Sequence, residues 1–203
     1  AAAATTVPAE ALLRLEMAAE VPTPAEQLDA RRALQLAAHH FDKLGTRLVE
    51  AVVPGAWAGL AQAQMDIMGF EAWAAFAPER NSHSNLFSPA FADVLAGGAA
   101  VTGERLAEAH ALAIHARGEI EGLLKQVDVL IAPSATGEAP LGLDATGNPI
   151  FSRMWSLLGV PCVHVPTGVG RHGMPVGVTV IGPRWRDVQA LSAALALEAA
   201  VKG

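Results

Sequence analysis

The side chains of this chain that could attack a carbonyl are its serines, at positions 82, 84, 88, 134, 152, 156 and 192, and one thiol, Cys162. Cleaving or transferring an acyl group needs an activated nucleophile, a group that protonates the leaving atom, and donors for the oxyanion. No two of these serines are adjacent and none sits in a run of glycines, while Gly97–Gly98 is followed by alanines and offers no hydroxyl. The lysines, Lys43, Lys125 and Lys202, fall at two helix ends and at the chain end. Ser82-His83-Ser84 sets a hydroxyl beside an imidazole along the sequence, but with no upstream orienting acid it reads as a loop.

Metal chemistry is no better supplied. His39 and His40 are neighbours and cannot share one helix face, and His110 and His115 are five apart rather than the three or four of a helical pair. Cys162 lies in an apolar run, where a small buried residue is the plain reading. The pattern implies no metal and no cofactor.

Composition narrows the classes further. The chain has 203 residues, 52% of them hydrophobic and 17% charged, which supplies a core and argues against general disorder. A formal charge of −6 without a Lys/Arg cluster lacks the footprint of a nucleic-acid binder or of a polybasic membrane anchor. No apolar run approaches the ~20 residues of a membrane span. A lone cysteine cannot form an internal disulfide, and the Ala-rich start lacks the basic region and long apolar core of a signal peptide. A cytoplasmic protein is expected.

The elements that must position these side chains alternate in type. Residues 1–26, with Pro8, Pro22 and Pro24, read as a linker or frayed terminus holding one short helix over residues 9–19. Ala30, Leu34, Ala37, Phe41 and Leu44 recur at three and four, which predicts a helix over residues 28–44 closed by Gly45. A strand over residues 47–53 and a helix over residues 57–76 follow, then a polar loop over residues 79–89. The longest helix is expected from Thr102 or Gly103, carried by Leu106, Ala109, Ala113, Ala116, Ile120, Leu123 and Val127. VDVLIA (127–132) reads as a buried strand and residues 152–158 as a short helix stopped by Gly159 and Pro161. Residues 162–165 and 176–181 are strands close enough to form only an antiparallel hairpin. Asp187 caps a last helix, with Val188, Leu191 and Leu195 expected inward.

Several features occur in a fixed order: DVLIAPS (128–134), Ala139–Pro140, FSRMWSLLGVP (151–161) with its Gly-x-Pro, VHVPTG (163–168), GMPVGVTVIG (173–182), and a helix reaching Glu198. This ordered set resembles the carboxy-terminal part of the amidase-signature family, and residues 28–127 follow the family order more loosely. The resemblance implies an α/β fold with helices packed around part of a mixed β-sheet. It makes residues 27–203 the carboxy-terminal half of such a domain, an incomplete fold. It implies amide hydrolysis by a Ser nucleophile, a second Ser in a cis peptide linkage and a Lys, the serines lying in a Gly/Ser-rich loop. That set is absent from these residues, so it is expected upstream, and the chain contributes no catalytic residue of its own to that reaction.

What the chain can supply is pocket wall. Ligands of open α/β sheets lie outside the carboxyl ends of strands, and Ser134, Ala135 and Thr136 leave such an end. The segment with Phe151, Trp155 and Ser156 resembles the family stretch that faces substrate. Core packing accounts equally well for the two aromatics, and a satisfied loop or cap hydroxyl accounts for Ser134, Thr136 and Ser156. The branch that amidates charged transfer RNA usually carries an acidic residue just before the aromatic matching Phe151, where this chain reads Asn148-Pro149-Ile150. It also has an Asn where Ser156 stands. Both departures favour a small-molecule amide substrate.

The expected partners are that substrate and the missing amino-terminal half or another chain carrying the nucleophile. Neither nucleic acid nor membrane is expected. Self-association through a face left bare is the remaining partner expectation. A non-catalytic interaction module that completes or dimerises an amidase-like fold is the competing function, and an independent small-ligand binder a weaker third.

Overall fold

Apolar alternation on both sides of one short strand organises the molecule. The computed structural model describes residues 3–6, 24–143 and 145–203. Strand β3 (Val129–Pro133) is buried at every position. Val129 and Ile131 pack into one apolar cluster and Leu130 and Ala132 into another, so the strand is clad on both faces and reads as a continuous apolar run. Around it lie β1 (Ala3–Thr6), β2 (Arg47–Glu50), β4 (Cys162–Val169) and β5 (Pro175–Ile181), in the order β2-β1-β3-β5-β4. The β1 pairings are parallel and those of β5 antiparallel, which makes the sheet mixed and the fold α/β.

Residues 1–26 read as a linker or frayed terminus, yet Ala3–Thr6 is a strand paired on both sides, to β2 and to β3. An Ala/Thr tetrapeptide carries no alternation of its own, so its strand state comes from two neighbouring ladders rather than from propensity. The helix expected over residues 9–19 lies outside the described residues.

Helix α1 (Pro24–Lys43) buries Ala33, Ala37 and Phe41 against the cluster of Val165, Val176, Val178 and Val180. It closes at Gly45, whose φ of 73° is costly for a side chain with a Cβ. Helices α2 (Leu60–Ala75), α3 (Ala77–His83), α4 (Pro89–Ala99) and α5 (Gly103–Leu123) follow. Of these, α2 and α5 bury Leu60, Ala63, Ile67, Ala109, Ala113, Ala116 and Ile120 in the cluster on the opposite face of β3. Helix α5 starts where expected, with the Arg105 amide donating to the Thr102 hydroxyl at 3.2 Å. Helices α2 and α4 touch backbone to backbone, since a Cβ on Gly98 would lie 1.9 Å from the Gly69 carbonyl oxygen.

Two expectations fail here for identifiable reasons. The loop over residues 79–89 is instead helix α3 and a 3₁₀ turn (Ser84–Leu86). Helix α3 buries no residue, so no apolar period marks it, and its start signals are Pro78 and Glu79 in its first turn. Helix α7 (Asp187–Lys202) presents the wrong face: Val188, Leu191 and Leu195 are 76%, 55% and 66% exposed, while Ala190, Ala194 and Leu197 are buried. The close approach of helix and sheet decides this. A Cβ on Gly182 would stand 2.8 Å from the Ala190 Cβ, which leaves room only for a small side chain.

Candidate functional site

The carboxyl end of β3 carries three polar side chains that the ladders place together. His164 of β4 pairs with Thr179 of β5, and Thr179 pairs with Ala132 of β3. Ser134, two residues beyond Ala132, extends the same face of the sheet. Its hydroxyl lies 2.6 Å from His164 Nδ1 and 2.9 Å from Thr179 Oγ1, and its amide donates to the Gly177 carbonyl at 3.2 Å. The imidazole fits because residue 177 is glycine, where a Cβ would come 2.8 Å from His164 Cε1. Desolvation pushes the His164 pKa below the usual imidazole value, so the ring is neutral at neutral pH.

This part of the sheet is open on one side only. Along β4, Cys162, His164 and Pro166 are exposed, while Val165 and Thr167 face α1 and α7 and are buried. The Thr167 hydroxyl donates to the Ala33 carbonyl of α1 at 3.1 Å. Cys162, expected as a small buried residue, is exposed because it alternates onto the open face. Desolvation around the sulfur still pushes its thiol up to about 11, so it holds little thiolate at neutral pH.

Beside Ser134, Ala135 is exposed and Thr136 buried. Phe151 and Trp155 lie inside the core with Ile150 and Met154, and the Trp155 ring meets Trp57 edge-on at 5.9 Å. Helix α6 (Arg153–Leu158) carries Trp155 inward and Ser156 outward. The Ser156 hydroxyl donates to the Ser152 carbonyl at 3.2 Å and borders a shallow cavity of about 360 Å³ lined by Gln64, Glu71, His110 and Arg117. Gly159, at φ 67°, ends that helix. The expected wall residues therefore fall into three places: the Ser134–Thr136 strand exit, the core pair, and the Ser156 surface.

His164 and Thr179 are functional candidates that the sequence reading did not single out. The hairpin was legible, but its register was not, and only the register sets His164 against Thr179. The other hydroxyl–imidazole pair, Ser82 and His83, is also in contact, at 2.7 Å. There the Ser82 hydroxyl donates to the Pro78 carbonyl at 2.8 Å. Among the described residues no group of three His, Cys, Asp or Glu side chains could hold a metal ion. No described helix is long and apolar enough to cross a membrane.

Comparison with known proteins places this arrangement. The family model described as Amidase matches residues 16–191. A glutamyl-tRNA(Gln) amidotransferase subunit of Novosphingobium aromaticivorans is 41% identical over 81 residues, covering 36% of this chain and 16% of that protein. The equivalent subunit of Campylobacter fetus is 31% identical over 91 residues, covering 42% of this chain and 20% of that one. A solved structure described as an amidase superposes with a TM-score of 0.78 at 25% identity, covering 97% of this chain and 45% of its own. The substrate complex of 6-aminohexanoate cyclic dimer hydrolase superposes with a TM-score of 0.75 at 18% identity, likewise over 45% of its length, which shows the shared fold. The chain thus spans less than half of these structures and about a fifth or less of those curated relatives. With a family match running through nearly all of its described elements, the chain belongs to the amidase family, of the amidase-signature type.

Proposed function

We propose that this chain forms one wall of the cleft of an enzyme that hydrolyses a small-molecule carboxylic amide. In this reading the chemistry comes from a Ser, a cis-linked Ser and a Lys located upstream of residue 1. The observation that carries it is the open face of edge strand β4 beside the carboxyl end of β3, in a family of amide-cleaving proteins. The serines of the chain supply no Gly/Ser-rich loop, and its lysines sit on α1, just past the end of α5, and at the end of α7. The covering piece is the amino-terminal half, on the same polypeptide or as a separate subunit. Ser134, Ala135 and Thr136 then line the cleft from below, Phe151 and Trp155 stiffen its floor, and Ser156 bounds a neighbouring surface. No cofactor takes part in this reading, and a reducing, cytoplasmic setting accompanies it.

Amidotransfer to charged transfer RNA is the neighbouring chemistry, given the curated relatives. Two local features favour the small amide. Asn148 and Pro149 shape the approach to Phe151 through a turn in which the Ile150 amide donates to Asn148 Oδ1 at 3.0 Å, with no acidic residue there. Ser156 stands where that branch carries an Asn. The test compares the longer protein on simple aliphatic and aryl amides with its action on glutamyl-tRNA plus an ammonia donor. Amide turnover without transamidation supports the reading, and transamidation without simple-amide turnover overturns it.

A further inference from the structure

We propose that Ser134 is a nucleophile in its own right, with His164 as its base, and that the pair accepts acyl groups from activated esters. It needs nothing from residues outside this chain.

Proton counting carries the argument. The Ser134 hydroxyl has one hydrogen and two neighbours, His164 Nδ1 at 2.6 Å and Thr179 Oγ1 at 2.9 Å. Two chains satisfy both contacts: Thr179 to Ser134 to His164 Nδ1, or the reverse with Nδ1–H donating. The reverse leaves the Thr179 hydrogen without a protein acceptor among the described residues, so the proposal takes the first, with the imidazole proton on Nε2 and Nδ1 as the base facing the serine. Ser82 and His83 provide the internal contrast. The Pro78 carbonyl can only accept, so the Ser82 proton is committed to it and His83 Nδ1 must be the donor in that pair. Closely similar distances, 2.6 and 2.7 Å, thus go with opposite proton arrangements in this proposal.

Access and donors complete the site. His164 is exposed and Ser134 half-buried on the open face, within reach of a small acyl donor. The backbone N–H of Ala135, next to the nucleophile, makes no hydrogen bond among the described residues and is left for an oxyanion. No described carboxylate pairs with His164, so the dyad lacks an orienting acid and suits esters with good leaving groups rather than amides. In the reaction Ser134 Oγ bonds to the acyl carbon while its proton passes to His164 Nδ1. The C–O bond to the leaving group breaks and that oxygen takes the proton. Water then attacks the acyl carbon and gives its proton to Nδ1; the C–Oγ bond breaks, Ser134 Oγ takes that proton back, and the carboxylic acid leaves.

The experiment exposes the chain to p-nitrophenyl acetate, follows p-nitrophenolate release, and maps the acetyl group by peptide mass spectrometry. The proposal expects an acetyl on Ser134, none on Ser82, and loss of about 100-fold in the acylation rate in His164→Ala, the scale of a lost general base. Wild-type acylation should rise with pH along the His164 titration. On its face of the sheet His164 meets Ser134 and Thr179, with Cys162 two residues back, and the opposite face of β4 packs through Val165 on the apolar cluster of α1 and α7. Acetylation elsewhere only, or a His164→Ala rate at Ser134 within twofold of wild type, overturns it. Either failure leaves the amide reading standing, since that reading takes its nucleophile from other residues, uses Ser134 only as cleft wall, and concerns another substrate.

Discussion

Arg105, on α5, grips Asp66, on α2, with two bonds of 2.7 Å, from Nε to Oδ2 and from Nη2 to Oδ1. Gln62 adds a third donor at 2.8 Å to a carboxylate that is only 8% exposed. The carboxylate in turn holds the Arg105 guanidinium above its ordinary pKa, first through the hydrogen bond and then by charge. The pair ties together two helices that bury residues in the same apolar cluster as α6. Arg105→Ala leaves a nearly buried carboxylate with one neutral donor and should destabilise the fold. Denaturant unfolding of the variant checks this; an unchanged midpoint would show the pair to be idle.

Gly98→Ala should be worse than its size suggests. The added methyl would collide with the Gly69 carbonyl and the Phe70 amide, which are backbone and cannot rotate aside. The expected loss is about 2 kcal/mol or more, as for overpacked cores. Thermal unfolding measures it, and a variant as stable as the parent would mean that α2 and α4 do not meet as described.

The corrected face of α7 separates two leucines two residues apart. Leu197 is fully buried, so Leu197→Ala should cost about 2–5 kcal/mol. Leu195 is 66% exposed, and Leu195→Glu should change stability by no more than about 0.5 kcal/mol. Reversal of that order in denaturant midpoints would restore the apolar face that Val188, Leu191 and Leu195 suggest from sequence.

Those residues show where sequence reading succeeds and where it stops. Buried strand β3 and helix α5 carry periods of their own, and Thr102 and Gly159 mark boundaries by local chemistry, so both were legible. Strand β1 and helix α3 carry no such period, because one is defined by its neighbours and the other buries nothing. On α7 the larger apolar residues point outward because Gly182 and Ala190 set the packing distance. Ser134 was visible as a strand exit, whereas His164 became its partner only through the β4–β5 register.

Folding stability should carry a His164 signature in mild acid. Desolvation lowers the folded-state pKa below the unfolded value near 6.5, so the native state binds fewer protons than the unfolded state in that window. The contribution is fully present above about 6.5 and is lost as pH falls through the lower folded value. Unfolding midpoints measured from pH 7.5 downward should decline in the wild type and decline less in His164→Ala. Parallel declines in the two proteins would contradict the burial of this ring.

The chain belongs to the amidase family, and in the proposed reading the groups that cleave amides lie outside it. Ammonia release from a simple primary amide by the purified 203-residue chain tests it most directly. The account predicts no release above the uncatalysed rate, even where Ser134 accepts acetyl from an activated ester. Sustained multiple turnover of the amide by the chain alone would contradict it.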